Sequence, residues 1–205
     1  NTKSYVSGST TWNDLTKNQL YGTLTNGPTF NSANGGSIVF DGNDDFVIVN
    51  GTSNLQPSTQ ITLDVFFIRN SGRTITSYSN NSVGAIKTYA FEVPTSNLLA
   101  KIVTVTSGQT TLTGPIIASN TWYNSVLTYD GSNVSLYING VFYTSSPNTG
   151  NINYLANSNL NIGRKNSSDG EYISGNVSNV KIYNRALSSS EILQNYNATK
   201  SRFGL

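Results

Sequence analysis

Apolar and polar residues alternate with a period of two through most of this chain, and Gly, Asn, Asp and Ser interrupt the alternation every few residues. That pattern predicts short half-buried strands joined by tight polar turns. Ile38 and Phe40 precede an Asp41-Gly42 turn, and Phe46 and Ile48 follow Asp44-Asp45, which reads as strand, turn, strand. Ile61 to Ile68, with Leu63, Val65 and Phe67, is apolar at almost every position and predicts a fully or nearly fully buried strand. Further strands are expected over Thr74 to Tyr78, Ala85 to Val93, Leu98 to Thr106, Gln109 to Leu112, Trp122 to Tyr129, Leu160 to Gly163 and Val177 to Tyr183.

The sharpest local signal is Val134 to Thr144, where two β-branched and aromatic runs flank Asn139-Gly140. Asn-Gly supplies the two positive-φ residues of a type I′ turn, so a hairpin is predicted. Ser188 stands three residues before Glu191, a capping-box spacing, and Ile192, Leu193 and Tyr196 follow at helical offsets, which predicts one short helix. The opening stretch to Asn34 is poor in periodicity and reads as loops and short extended pieces along an edge, anchored by Trp12, Leu15, Leu20, Tyr21 and Leu24. About a dozen short strands and a single helix give an all-β fold: a two-sheet antiparallel jelly-roll sandwich with one short helix near the C-terminus.

Composition narrows the chemistry more than the fold. The chain has 205 residues, a length suited to one large β-sandwich spanning 1–205. A domain of this size buries enough surface to dispense with disulfides. It carries no cysteine and no histidine, which excludes thiol nucleophiles, thiolate zinc sites and every triad or dyad built on those residues. Charged residues make up 11% of the chain and the net charge is +2, with Lys and Arg scattered singly, so nucleic acid is not an expected partner. No apolar run reaches the length of a transmembrane helix, so membrane insertion is not expected. The start at Asn1, without an initiator Met or a signal-like segment, reads as processed or as the C-terminal part of a longer chain.

Four ordered stretches resemble the concanavalin-A-like superfamily, and within it the laminin-G-like jelly-roll branch. They are Gly36-Ser37-Ile38-Val39-Phe40-Asp41-Gly42 with Asp44-Asp45-Phe46-Val47; Ile61-Thr62-Leu63-Asp64-Val65-Phe66-Phe67; Trp122-Tyr123 through Asp130-Gly131 to Leu136-Tyr137-Ile138-Asn139-Gly140; and Leu160-Asn161-Ile162-Gly163-Arg164 with Val180-Lys181-Ile182-Tyr183-Asn184-Arg185-Ala186-Leu187-Ser188. Trp12-Asn13-Asp14-Leu15, Gly22 to Pro28 and the ending from Asn195 to Leu205 are similar to that branch as it occurs in bacteriophage tail, fibre and decoration proteins. The family's usual Ile-Asp before the last strand is replaced by Ser178-Asn179.

The resemblance sets what to look for. Related glucanases carry a Glu-x-Asp-x-x-Glu run, since glycoside hydrolysis needs two carboxylates flanking the bond. No such run occurs here, and Asp169-Gly170-Glu171 is placed in a loop, so no catalytic residues are expected. Asp41, Asp44 and Asp45 bunch around a Gly turn, with Asp14 as a distant partner. Calcium, which prefers close-spaced hard oxygens, and Asx-turn capping each account for them. Among the 12 tyrosines, Tyr78, Tyr89, Tyr154 and Tyr172 lie near turn-rich segments and are the candidates for stacking on sugar rings, while Trp122 is assigned to the core.

The expected function is therefore a non-enzymatic carbohydrate-recognition or adhesion module, extracellular or on the virion surface of a phage. Its expected partner is a cell-surface glycan. The alternatives are a purely structural decoration or fibre domain bound to other virion proteins or to further copies of itself as a homo-oligomer, and, below both, a glycoside hydrolase.

Overall fold

A computed structural model describes residues 3–82, 84 and 86–205. In chain order the strands are β1 (Thr11–Trp12), β2 (Gly22–Thr25), β3 (Thr29–Asn31), β4 (Ser37–Asp41), β5 (Phe46–Val49), β6 (Ile61–Gly72), β7 (Thr74–Ser79), β8 (Tyr89–Glu92), β9 (Asn97–Thr104), β10 (Gly108–Ile116), β11 (Trp122–Tyr129), β12 (Asn133–Ile138), β13 (Val141–Pro147), β14 (Asn159–Ile162) and β15 (Ile173–Tyr183). Helix α1 (Ser189–Asn197) follows. Of the strand expected from Ala85, the part from Tyr89 is observed as β8, and Ala85 itself lies outside the described residues.

The strands form two antiparallel sheets, as the alternation requires. One holds eight strands in the order β1-β2-β5-β14-β7-β8-β9-β10, the other seven in the order β13-β12-β11-β6-β15-β4-β3. Ile61, Leu63, Val65 and Phe67 of β6 point into the core between the sheets, against Phe91 and Ile75 of the opposite sheet among others. The outer face of β6 is also covered. Phe66 packs with Trp122, Tyr196 and Phe203, while Leu187, just ahead of α1, and Ile192 of α1 pack on Val126. Burial on both faces is why β6 reads as a continuous apolar run.

The hairpin and the helix form where the local signals put them. Asn139 (φ 50°) and Gly140 (φ 79°) make the left-handed pair between β12 and β13. Ser188 Oγ accepts from the Glu191 N–H while Glu191 reaches back to the Ser188 N–H, a complete capping box. The opening stretch is more regular than expected. It supplies β1 and β2 to the edge of one sheet and β3 to the edge of the other. Leu24 is buried and Trp12 and Leu20 pack half-buried against the core as expected, Tyr5, stacked on Phe30 at 4.8 Å, adds a further anchor, and Leu15 and Tyr21 are exposed because they sit in the loop between β1 and β2. Among the described residues no helix is long and apolar enough to cross a membrane.

Candidate functional site

The turn between β4 and β5 brings Asp41, Asp44 and Asp45 together at one end of the sandwich. One carboxylate oxygen from each lies within 4.8 Å of the others. Gly42 takes φ 89°, and Asn43 caps Asp41 through its N–H at 2.8 Å and its amide at 2.9 Å. These donors hold the Asp41 carboxyl below its ordinary value. Asp45 is buried and accepts the Asp41 N–H at 3.0 Å. Burial, together with the charges of Asp41 and Asp44, pushes its carboxyl up despite that bond. The neighbouring turn adds Asn26, whose amide donates to the Asp44 carbonyl at 3.1 Å. The ligand atoms are all hard oxygens and the three charges repel one another, so the set could hold a metal ion.

Asp14 is not part of this group. Its carboxylate is held by the Thr16 N–H and hydroxyl, both at 2.8 Å, and by the Leu20 N–H at 2.9 Å, closing the loop between β1 and β2. Burial raises its pKa, but those donors outweigh it and leave the carboxyl below its ordinary value.

The four tyrosines divide. Tyr78 and Tyr89 are wholly buried and stack on each other at 5.0 Å, so neither ring has a face open to a ligand. Tyr154 meets Tyr78 edge-on at 5.6 Å and donates to the Pro57 carbonyl at 3.0 Å. The inward phase of β7 and β8 puts the first two rings in the core, and the chain after β13 folds the third against them. Tyr154 and Tyr172 are both half-buried, and of the two Tyr172 lies on the side of the acidic turn. It lies close enough to Arg164 to raise that guanidinium's pKa against the effect of burial, Arg164 lies 3.3 Å from the centroid of Phe46, and Tyr172 sits two residues before Ser174, the register partner of Asp41.

A second concavity was not legible in the sequence. A cleft of about 510 Å³ opens on the side of the sandwich. Its floor is Val47 and Val49 of β5 with Leu160 and Ile162 of β14, its wall is the segment from Ser178 to Tyr183, and Asn13 to Leu20 form its roof. A side cavity of about 140 Å³ shares Ser4, Trp12, Leu15, Ser178 and Asn179 with it. Six separate segments contribute, so only the tertiary fold assembles it. The sole local trace is Ser178-Asn179, the point where the sequence departs from the family pattern.

A family model of laminin G type, described as the concanavalin A-like lectin/glucanases superfamily, matches residues 41–193, well over half of the chain. The chain belongs to this superfamily. Among solved structures, this lectin/glucanase-type domain resembles the binding domain of Paraclostridial Mosquitocidal Protein 1, with TM-score 0.75 and 17% identity over 93% of this chain and 50% of that one. It resembles the binding domain of botulinum neurotoxin serotype G, with TM-score 0.71 and 14% identity over 92% and 49%. It also resembles Trypanosoma rangeli sialidase in complex with sialic acid, with TM-score 0.71 and 17% identity over 97% and 32%. The chain thus spans half or less of the length of each. No curated protein matches it significantly by sequence.

The superfamily's description includes glucanases, and glycoside hydrolysis uses a pair of carboxylates. Sequence spacing leaves Glu171 in a loop far from Glu92, yet the fold brings both onto the same cations. Arg73 Nε lies 3.4 Å from Glu92 and 3.3 Å from Glu171, and Lys87 bridges the two carboxylates, at 2.9 Å from Glu171. Lys101 closes on the other oxygen of Glu92, and Lys165 pairs with Asp169. The Glu92 side chain has no exposed surface. Burial pushes its carboxyl up, but Lys101 and Lys87 outweigh burial and hold it below its ordinary value. Glu92 therefore stays ionised inside an ion-pair network on the outer face of the eight-stranded sheet, with no side open to a sugar.

Proposed function

We propose that this domain is a non-catalytic recognition module that binds surface carbohydrate, displayed outside a cell or on a phage particle. The observation that carries the reading is the rim at the β4–β5 turn, where three carboxylates converge within 4.8 Å beside the amides of Asn26 and Asn43. Calcium held by Asp41, Asp44 and Asp45 offsets the repulsion that pushes the Asp45 carboxyl up and leaves coordination positions for sugar hydroxyls. Tyr172 stands near that rim and offers an aromatic surface for a ring to pack on. Superfamily membership and the likeness to toxin binding domains support recognition, and the resemblance of the first and last segments to phage virion proteins supports the phage setting.

The test is a glycan array probed with the chain in calcium and in EDTA, alongside Asp44→Asn. Binding that EDTA removes and Asp44→Asn weakens at least tenfold is the expected result. A blank array at high protein concentration overturns recognition, binding indifferent to EDTA overturns the calcium rim, and turnover of laminarin, agarose or mannan overturns the non-catalytic reading.

A second reading, a structural virion domain bound to other virion proteins or to its own copies, is favoured by one observation. The edge strand β13 exposes Val141 (64%), Phe142 (53%) and Tyr143 (48%) in succession. Assembly-dependent protection of these residues, with the array blank, is the outcome that selects it.

A further inference from the structure

β15 is an interior strand of its sheet with half of one neighbour missing. It lies between β6 and β4. Its pairing with β6 continues to Tyr183, but its pairing with β4 covers only Ser174 to Val177. The neighbour stops because Gly36 takes φ 104° after the tight turn Ala33–Gly35, and Arg202 clasps that turn through the Gly35 carbonyl at 2.9 Å. From Asn179 to Tyr183 no strand among the described residues pairs with the side of β15 away from β6, and this stretch forms the wall of the 510 Å³ cleft. Val180 and Ile182 register with Val65 and Leu63 and face the core. They remain only half-buried, although Val65 and Leu63 have no exposed surface. At the start of the gap, Asn179 Oδ1 is a buried acceptor with no donor.

We propose that this gap is a docking site for an extended strand of a partner polypeptide, about five residues long, that adds to β15 and places alternate apolar side chains in the cleft. Three features select a peptide over a sugar or a lipid tail. A row of main-chain groups lacks a ladder partner, and only another backbone satisfies such a row at strand spacing. The inward positions recur with period two and face an aliphatic floor of Val47, Val49, Leu160 and Ile162. Asn179, whose Oδ1 is buried without a hydrogen-bond partner, is the first residue of the unpaired stretch. This site is separate from the acidic rim and does not depend on the carbohydrate reading.

The absence of cysteine gives a clean test. Leu15→Cys places one thiol at the cleft mouth, on a side chain that is 61% exposed. A synthetic peptide with alternating Val and Thr, carrying one terminal Cys, is tethered there by a disulfide, and hydrogen exchange is followed at Asn179 to Tyr183. The expected result is slowed exchange at alternate amides of this segment, with the same peptide methylated at alternate backbone nitrogens protecting on the order of tenfold less. Val180→Asp, which puts a charge in the wall of the cleft, abolishes the protection while the circular dichroism spectrum stays native. Equal protection by the methylated peptide overturns the proposal, as does displacement of the peptide by decyl maltoside with no loss of protection, which assigns the cleft to an alkyl chain. No protection in the tethered unmethylated form overturns it outright.

Discussion

Tyr78 and Tyr89 stack in the core with centroids 5.0 Å apart, and each hydroxyl is met at the edge of the sandwich: Gln56 donates to Tyr78 at 2.7 Å, and Tyr89 donates to the Leu55 carbonyl at 3.0 Å. Both rings are structural, so Tyr89→Ala is expected to lower unfolding free energy by about 3–5 kcal/mol through the cavity it leaves. Tyr89→Phe keeps the stack but strands a buried carbonyl, for a loss of about 1–2 kcal/mol. Denaturant titration measures both, and glycan binding should be unchanged in Tyr89→Phe.

Glu92 anchors Arg73, Lys87 and Lys101 from a position with no exposed surface. Glu92→Gln leaves those cations without their shared carboxylate and should destabilise the domain by about 3–5 kcal/mol. The folded carboxyl lies below its ordinary 4.5, so its stabilisation is fully present above that pH and is lost as pH falls through the folded value. Acid unfolding followed by tryptophan fluorescence should accordingly be steeper in the wild type than in Glu92→Gln.

Gly140 carries φ 79°, and a Cβ there would stand 2.8 Å from the Tyr196 ring. Gly140→Ala therefore combines backbone strain with a clash between the β12–β13 turn and α1, and a loss of about 1–3 kcal/mol is expected. In Tyr196→Ala the ring contacts are gone and only the Cβ at 3.1 Å remains, so the double mutant should be more stable than the sum of the single losses implies.

Glu191 closes the capping box with Ser188 and pairs with Arg185 at 2.7 Å. The Arg185 bond, followed by the Ser188 donors, lowers its pKa to about 2. Its contribution is present above the ordinary 4.5 and fades as pH falls toward 2, so an NMR titration of the Glu191 carboxyl should have its midpoint near that lower value. Ser188→Ala should cost about 1 kcal/mol and raise the midpoint.

Asp45 runs in the opposite sense, since its folded carboxyl is pushed above its ordinary 3.8 and its ionised form opposes folding above that pH. Asp45→Asn should raise the melting temperature in EDTA and cancel any increase that calcium gives the wild type. Calorimetry with calcium and EDTA measures both changes.

The sequence by itself determined what depends on a few neighbouring residues. Period-two alternation gave two antiparallel sheets, Asn139-Gly140 gave the β12–β13 turn through its two positive φ angles, and Ser188 with Glu191 gave the start of α1. The clustering of Asp41, Asp44 and Asp45 was legible for the same reason, because one turn spans all three. The tertiary structure decided whatever depends on which strand lies beside which. β14 enters between β5 and β7, and β15 between β6 and β4, placing far-apart segments side by side. That ordering buried Tyr78 and Tyr89, brought Glu171 to Glu92, separated Asp14 from the acidic turn and left half of β15 without a neighbour. Alternation fixes which face of a strand a side chain takes, but exposure depends on what packs against that face and on whether the next strand continues, and both are set by chain segments far away in sequence.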